Sequence, residues 1–291
     1  MFVSSNSVVE IKAYFKKQLS SFFSDSEIKQ ISNHALKTRL NLSQADLMLS
    51  DDIRLSESDL LHFRSIVKRL QANEPIQYIF GDTEFYGLTM KCDSRALIPR
   101  PETEELVDWI LDDVKQTDQL ELLDMCTGSG CIALALKSQL TQAHVSAMDW
   151  SQDALDLTTE NSQALKLDLN IQRIDALSDF KSWNLEPNSF DVWVSNPPYI
   201  PLKEKELMES NVLEFEPDMA LFVEDDSALI FYESIGKAAR FYLKSGGKLY
   251  FELNENYAEE TKQLMEEIGF ISVEIKLDLQ DKKRMLKAIQ K

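Results

Sequence analysis

The chain has 291 residues, 44% hydrophobic and 27% charged, with a formal net charge of −18. That is material for one large domain or two unequal ones, and its acidity works against a sequence-independent grip on phosphate backbones, so no direct nucleic-acid partner is expected. The three cysteines form no CxxC pair and the three histidines lie far apart, so neither a metal site nor a disulfide framework is expected; no signal segment or membrane span is expected either, and the reducing cytoplasm is the expected compartment.

Residues 1–74 read as a domain of short helices. Val8, Ile11, Phe15, Leu19 and Phe22 recur at intervals of three and four, which places them on one helical stripe. Ser56-Glu57-Ser58-Asp59 opens another helix, with Ser56 or Ser58 as cap and Leu60, Phe63, Val67 and Leu70 as its apolar face. At Pro75 the texture changes. Residues 75–97 are rich in β-branched and aromatic residues, punctuated by Gly81 and Gly87, and read as a β-hairpin linker. The stretch LIPRPETEELV then runs two prolines into an acidic helix start, with Thr103 or Glu102 expected near the free amides of its first turn.

From about Leu120 strand and helix alternate. LELLDM, HVSAMD, NIQRID, FDVWVSN and GGKLYFELN read as strands; CIALALKSQL, SQDALDLTTENSQALKL, about 227–244 and YAEETKQLMEEIG read as helices. Alternation at this spacing predicts an α/β fold, a doubly wound, mostly parallel sheet with helices on both faces, over residues 98–291. ISVEIKL and RMLKAIQ follow without a helix between them and are expected to pair antiparallel.

Asp124-Met125-Cys126-Thr127-Gly128-Ser129-Gly130 joins the first strand to the first helix, at the edge where such sheets bind ligands. Asp149 ends the second strand, where a carboxylate can accept both hydroxyls of a ribose, and Asp175 ends the third, near an adenine edge. Together they describe an adenosyl pocket. Gly128 to Ala133 also matches G-x-G-x-x-A of dinucleotide sites. Asp124, however, is expected at the mouth of the loop, where it disfavours a pyrophosphate and suits the cationic aminoacyl and sulfonium groups of S-adenosylmethionine.

The fourth strand runs into Asn196-Pro197-Pro198-Tyr199. Two prolines end the strand, since neither nitrogen can donate to a ladder. If this strand lies beside the first, the Asn196 side-chain carbonyl and the Pro197 main-chain carbonyl can accept two N–H bonds from a planar amide or amino group and aim its nitrogen at a methyl donor. Tyr199 can cover the planar group. Glutamine and adenine satisfy this geometry equally.

N-P-P-Y after a fourth strand resembles the amino-group methyltransferases that use S-adenosylmethionine. EPIQYIFG (74–81), LIPRPETEELV (97–107), FEPDMALF (215–222) and KKRMLKA narrow the resemblance to the peptide chain release factor glutamine methyltransferases, from about residue 70 to the end. The resemblance implies a seven-stranded Rossmann-like methyltransferase sheet, and transfer from S-adenosylmethionine, yielding S-adenosylhomocysteine, to the side-chain amide nitrogen (N5) of the glutamine in the Gly-Gly-Gln loop of class-1 release factors. It implies cofactor binding by Cys126, Thr127, Gly128, Ser129, Gly130, Asp149, the Asp175–Ala176 turn and Asn196. It further implies a glutamine gripped by Asn196, Pro197, Pro198 and Tyr199, and a helical domain that helps bind the release factor. Two positions depart from the family. Cys126 replaces the usual first glycine, and is strained if it takes positive φ; Ala176 stands where some relatives carry a bulky aromatic. The alternatives are an adenine-N6 nucleic-acid methyltransferase, or a non-catalytic adaptor whose altered loop no longer holds cofactor.

Overall fold

The structure, a computed structural model, describes residues 3, 5–49, 53–114 and 119–291. Its contacts divide the chain into two compact units that meet at the Phe80–Gly81 bond. The N-terminal unit holds α1 (Val8–Leu19), α2 (Asp25–Leu40), α3 (Gln44–Met48), α4 (Glu57–Gln71) and α5 (Ile76–Phe80).

Each of the first four helices begins at a serine whose hydroxyl accepts a first-turn amide: Ser7, Ser24, Ser43 and Ser56. In three of them the acid at the third helical position returns the bond to the serine's own amide, closing a capping box; for α4 the pair is Ser56 with Asp59. Val8, Ile11, Phe15 and Leu19 of α1 pack with Phe63, Val67 and Leu70 of α4 in one core. Phe22 does not extend the α1 stripe, because the helix stops at Leu19 and the ring is 55% exposed. The segment after Pro75, expected to be extended, instead forms α5. The Arg69 guanidinium reaches the Tyr78 and Ile79 carbonyl oxygens that the short helix leaves free, and is itself held by Glu74.

The C-terminal unit opens with an antiparallel hairpin, β1 (Asp82–Phe85) and β2 (Leu88–Lys91), turned by Tyr86 and Gly87, both at positive φ. Then come α6 (Pro101–Asp113), β3 (Glu121–Met125), α7 (Cys131–Gln139), β4 (His144–Asp149), α8 (Gln152–Leu165), β5 (Asn170–Arg173) and β6 (Phe190–Ser195). The short β7 (Ile200–Pro201), α9 (Ser210–Phe215), α10 (Asp218–Leu221) and β8 (Phe222–Val223) lead to α11 (Ile230–Tyr242), β9 (Leu243–Glu252), α12 (Ala258–Ile268), β10 (Ile271–Leu277) and β11 (Lys283–Ile289).

Seven strands form one sheet in the order β10-β11-β9-β6-β3-β4-β5. It is parallel except around β11, which runs against both β9 and β10, as the closing pair of strands leads one to expect. The chain builds outward from β3 through β4 to β5, then returns to lay β6 along the other side of β3. That reversal is the switch point at which open α/β sheets bind ligands. Among the described residues no helix is long and apolar enough to cross a membrane.

Helices cover both faces of the sheet. On one face Trp193 of β6 lies fully buried against Phe190, Trp183 and Tyr242, the last two stacked with an interplanar angle of 2°. On the other, α6 and α7 pack over Leu122, Val192 and Val194. Trp193→Ala removes a fully buried indole from the first layer and is expected to cost about 3–5 kcal/mol of stability. Denaturant titration monitored by circular dichroism measures it, and a loss under about 1 kcal/mol would contradict this packing.

Candidate active site

Where β3 ends, the chain must turn sharply to start α7. Cys126, Gly128 and Gly130 all take positive φ, at 62°, 57° and 82°. Gly130 is obligatory on two counts, since a β-carbon there would also lie 2.8 Å from Thr158 Cγ2 on α8. Cys126 adopts the strained conformation that its replacement of glycine threatened, at a cost of about 1–2 kcal/mol; its side chain packs against the buried core in return. Bonds from β4 and α8 tether the loop. The Thr127 amide donates to Met148 O of β4, Thr158 Oγ1 donates to Gly128 O, and Asn161 Nδ2 donates to Ser129 O. Thr158 and Asn161, both buried, carry no motif that would reveal this role.

Asp124 lies elsewhere than expected. Its side chain is buried beneath the loop rather than at the mouth, where Oδ2 accepts from Thr127 Oγ1 at 2.6 Å and from the Ala133 amide in the first turn of α7 at 3.2 Å. Burial pushes its carboxyl up to about 7, against the pull of those two donors. Oδ1 has no partner.

The neighbouring strand ends complete a cavity of about 350 Å³. Asp149 stands on its wall, with Oδ2 accepting the Gly128 amide and Oδ1 the Ser151 amide, so it shapes both adjacent turns. Burial raises its pKa, while those amides lower it. Trp150 follows, half exposed on the wall, with the Arg173 guanidinium 4.4 Å from its ring centre. This flat surface beside Asp149 went unremarked in the sequence. At the end of β5, Asp175 Oδ1 accepts the Leu177 amide, and Ala176 is held through its carbonyl by Ser234 of α11.

At the end of β6, Ser195 Oγ donates to Met125 O at 2.6 Å and ties the two strand ends together. Asn196 and Pro198 line the cavity along with Cys126, Thr127, Gly128, Ser129, Asp149, Asp175 and Ala176; Asp124, Gly130, Pro197 and Tyr199 do not. Tyr199 donates its phenol to Glu252 Oε1 at 3.0 Å, and burial together with that carboxylate holds the phenol far above its usual range. Glu252, at the end of β9, is only 3% exposed; burial raises its pKa, opposed by its bonds from Thr103 and Tyr199 and by the charge of Arg284. Thr103 does not cap α6. Pro101 begins that helix without a side-chain cap, and the Thr103 hydroxyl is turned inward to donate to Glu252 Oε2. A last wall comes from two segments far apart in sequence: buried Glu216 accepts the Ile98 amide and the Arg100 guanidinium.

Two family models match the chain, a PrmC N-terminal domain over residues 15–81 and a methyltransferase small domain over residues 106–214. The release factor glutamine methyltransferase of Flavobacterium psychrophilum is 39% identical over 95% of this chain and 96% of its own length. That of Bacteroides thetaiotaomicron is 39% identical over 96% and 98%. This chain belongs to the release factor glutamine methyltransferase family.

S-adenosylmethionine is the cofactor of this family of enzymes, and the cavity fits it better than a dinucleotide. A pyrophosphate in such a fold sits on the free amides at the start of the first helix. Here the Ala133 amide of α7 is already taken by the protein's own Asp124, and the carboxylates of Asp149 and Asp175 face the same space. Asp124 thus disfavours phosphate from beneath the loop.

A carboxyl that binds its proton more tightly folded than unfolded stabilises the fold below its unfolded pKa of about 4. That contribution is lost as pH rises through its folded value of about 7. Measured against Asp124→Asn, which has no proton to lose, the unfolding free energy of the native sequence is therefore expected to fall from about pH 4 to about pH 7 and to level off above. Urea titrations across that range provide the comparison; a gap independent of pH would contradict a buried, proton-holding Asp124.

Proposed function

We propose that the protein methylates the side-chain amide nitrogen (N5) of the glutamine in the Gly-Gly-Gln motif of class-1 peptide chain release factors, leaving S-adenosylhomocysteine. The observation that carries this reading is the placement of Asn196 on the same cavity as the 126–130 loop, Asp149 and Asp175, at adjoining strand ends.

When bound, the cofactor supplies a methyl group made electrophilic by its sulfonium. Cys126 to Gly130 and the Asp175–Ala176 turn would enclose it, Asp149 would accept ribose hydroxyls, and the Trp150 ring would offer a flat face. An amide nitrogen is a poor nucleophile because its lone pair is delocalised into the carbonyl. The Asn196 amide oxygen and the Pro197 carbonyl accept its two N–H bonds, hold it in line and favour the positive charge that develops as it pyramidalises. The prolines keep these acceptors from reorganising. Tyr199, anchored on Glu252 and set back from the cavity lining, would cover the amide plane from the end of the N-P-P-Y turn. One N–H proton leaves to water once the new C–N bond has formed, so no general base is required.

The helical domain of residues 1–74 contributes to gripping the release factor, residues 75–97 link it to the methyltransferase domain of residues 98–291, and the reaction takes place in the cytoplasm. A net charge of −18 supports a protein substrate over direct contact with nucleic acid.

Incubation with a class-1 release factor and S-adenosylmethionine, followed by mass spectrometry of the Gly-Gly-Gln peptide, is expected to show one added methyl on the glutamine. Binding of cofactor without any mass gain would contradict the proposal, and methylation of duplex DNA instead would reassign the substrate. Asn196→Ala is expected to lower turnover by about 10²–10³-fold with cofactor affinity, measured by calorimetry, largely kept. Asp149→Ala is expected to do the reverse.

A further inference from the structure

An asparagine amide binds through its oxygen or its nitrogen, and the two ends differ in chemistry while barely differing in shape. An Asn196 that accepts N–H from the substrate must keep Oδ1 toward the cavity, so something must hold its Nδ2 the other way. A side chain beside Asn196 on the same wall supplies that hold. Its Nδ2 lies 3.5 Å from Thr103 Oγ1. Thr103 is 2% exposed, and its single hydroxyl proton is committed to Glu252 Oε2 at 2.6 Å, the short length of a bond to a carboxylate. Glu252 is itself held in place: Tyr199 donates to its other oxygen, and Tyr232 donates to its main-chain carbonyl.

With its proton spent, the Thr103 oxygen presents only lone pairs to Asn196. An amide turned the other way would set Oδ1 against those lone pairs, with no proton between two acceptors in a buried place. The 3.5 Å separation makes a weak bond, but the directional preference does not rest on its strength. It rests on the repulsion that meets the reversed amide.

We propose that Thr103, held by Glu252, is a positioning residue that fixes the Asn196 amide with its oxygen toward the substrate and so makes the site select a group bearing N–H over a carboxylate. This rests on the glutamine reading above and extends it, by naming what sets the polarity of the clamp. The same carboxylate anchors Tyr199 on the other side, so Glu252 coordinates both polar features of the N-P-P-Y turn.

Thr103→Val keeps the shape and removes the hydroxyl; Thr103→Ala removes it with less bulk, in case valine packs poorly; Thr103→Ser keeps it. With a class-1 release factor as substrate, Val and Ala are expected to lower kcat by about tenfold to a hundredfold, while affinity for S-adenosylhomocysteine stays at the native value. Ser is expected to restore most of the turnover. A freed amide can also turn its Nδ2 outward, so a peptide carrying Gly-Gly-Glu is expected to inhibit the Val and Ala variants more strongly than the native enzyme, relative to Gly-Gly-Gln. Ser and Ala variants with equal turnover, or an unchanged preference between the two peptides, would overturn the relay while leaving the glutamine reading intact. A native enzyme that leaves release factor unmethylated would overturn that reading first.

Discussion

At Met125 and Ser195 the parallel strands β3 and β6 leave the sheet at the same level, one residue opposite the other. The Ser195 hydroxyl closes the remaining gap by donating to the Met125 carbonyl. Everything the site does depends on this pairing. The chain folds outward to β5 and only then returns to β6, so the turn after β3 and the turn after β6 come from residues some seventy positions apart in sequence yet open on one space. In the proposed reaction one turn would hold the methyl donor and the other the acceptor amide against it. Neither would serve alone.

Acid side chains hold the two turns and the walls beside them through hydrogen bonds. Asp124 accepts from the loop and from α7, Asp149 from the loop and from the start of α8, Glu216 from the Ile98 amide and Arg100, and Glu252 from Thr103 and Tyr199. Taking carboxylates out of water is costly unless donors replace it. Here those donors are main-chain amides, hydroxyls and the Arg100 guanidinium, in the turns and walls that shape the cavity. The chain's acidity is therefore not confined to its surface.

The repeated strand and helix lengths, the glycine loop and N-P-P-Y were readable because local periodicity and turn chemistry determine them. The antiparallel closing strands follow from the same rules. Other features depend on partners distant in sequence. The segment after Pro75 has the composition of a strand, but Arg69 satisfies its carbonyls and permits a helical turn. Phe22 has the right spacing for the α1 stripe, but the helix ends before it. Thr103 has the position of a cap, and only the arrival of Glu252 from β9 turns it inward. Asp124 has the sequence position of a loop-mouth acid, but the amide of Ala133 and the hydroxyl of Thr127 draw it underneath. Trp150, Thr158 and Asn161 belong to no motif at all and become meaningful once the strand ends converge.

The central claim is that a planar amide is held by the Asn196 amide oxygen on the cavity wall and by the carbonyl of Pro197 next to it in the N-P-P-Y turn. A crystal structure with S-adenosylhomocysteine and a Gly-Gly-Gln peptide tests it most directly. The glutamine nitrogen is predicted to lie within about 3 Å of both Asn196 Oδ1 and the Pro197 carbonyl oxygen, with Asn196 Nδ2 still directed at Thr103. A glutamine bound through its oxygen to Asn196 Nδ2, or lying outside the cavity, would contradict the account.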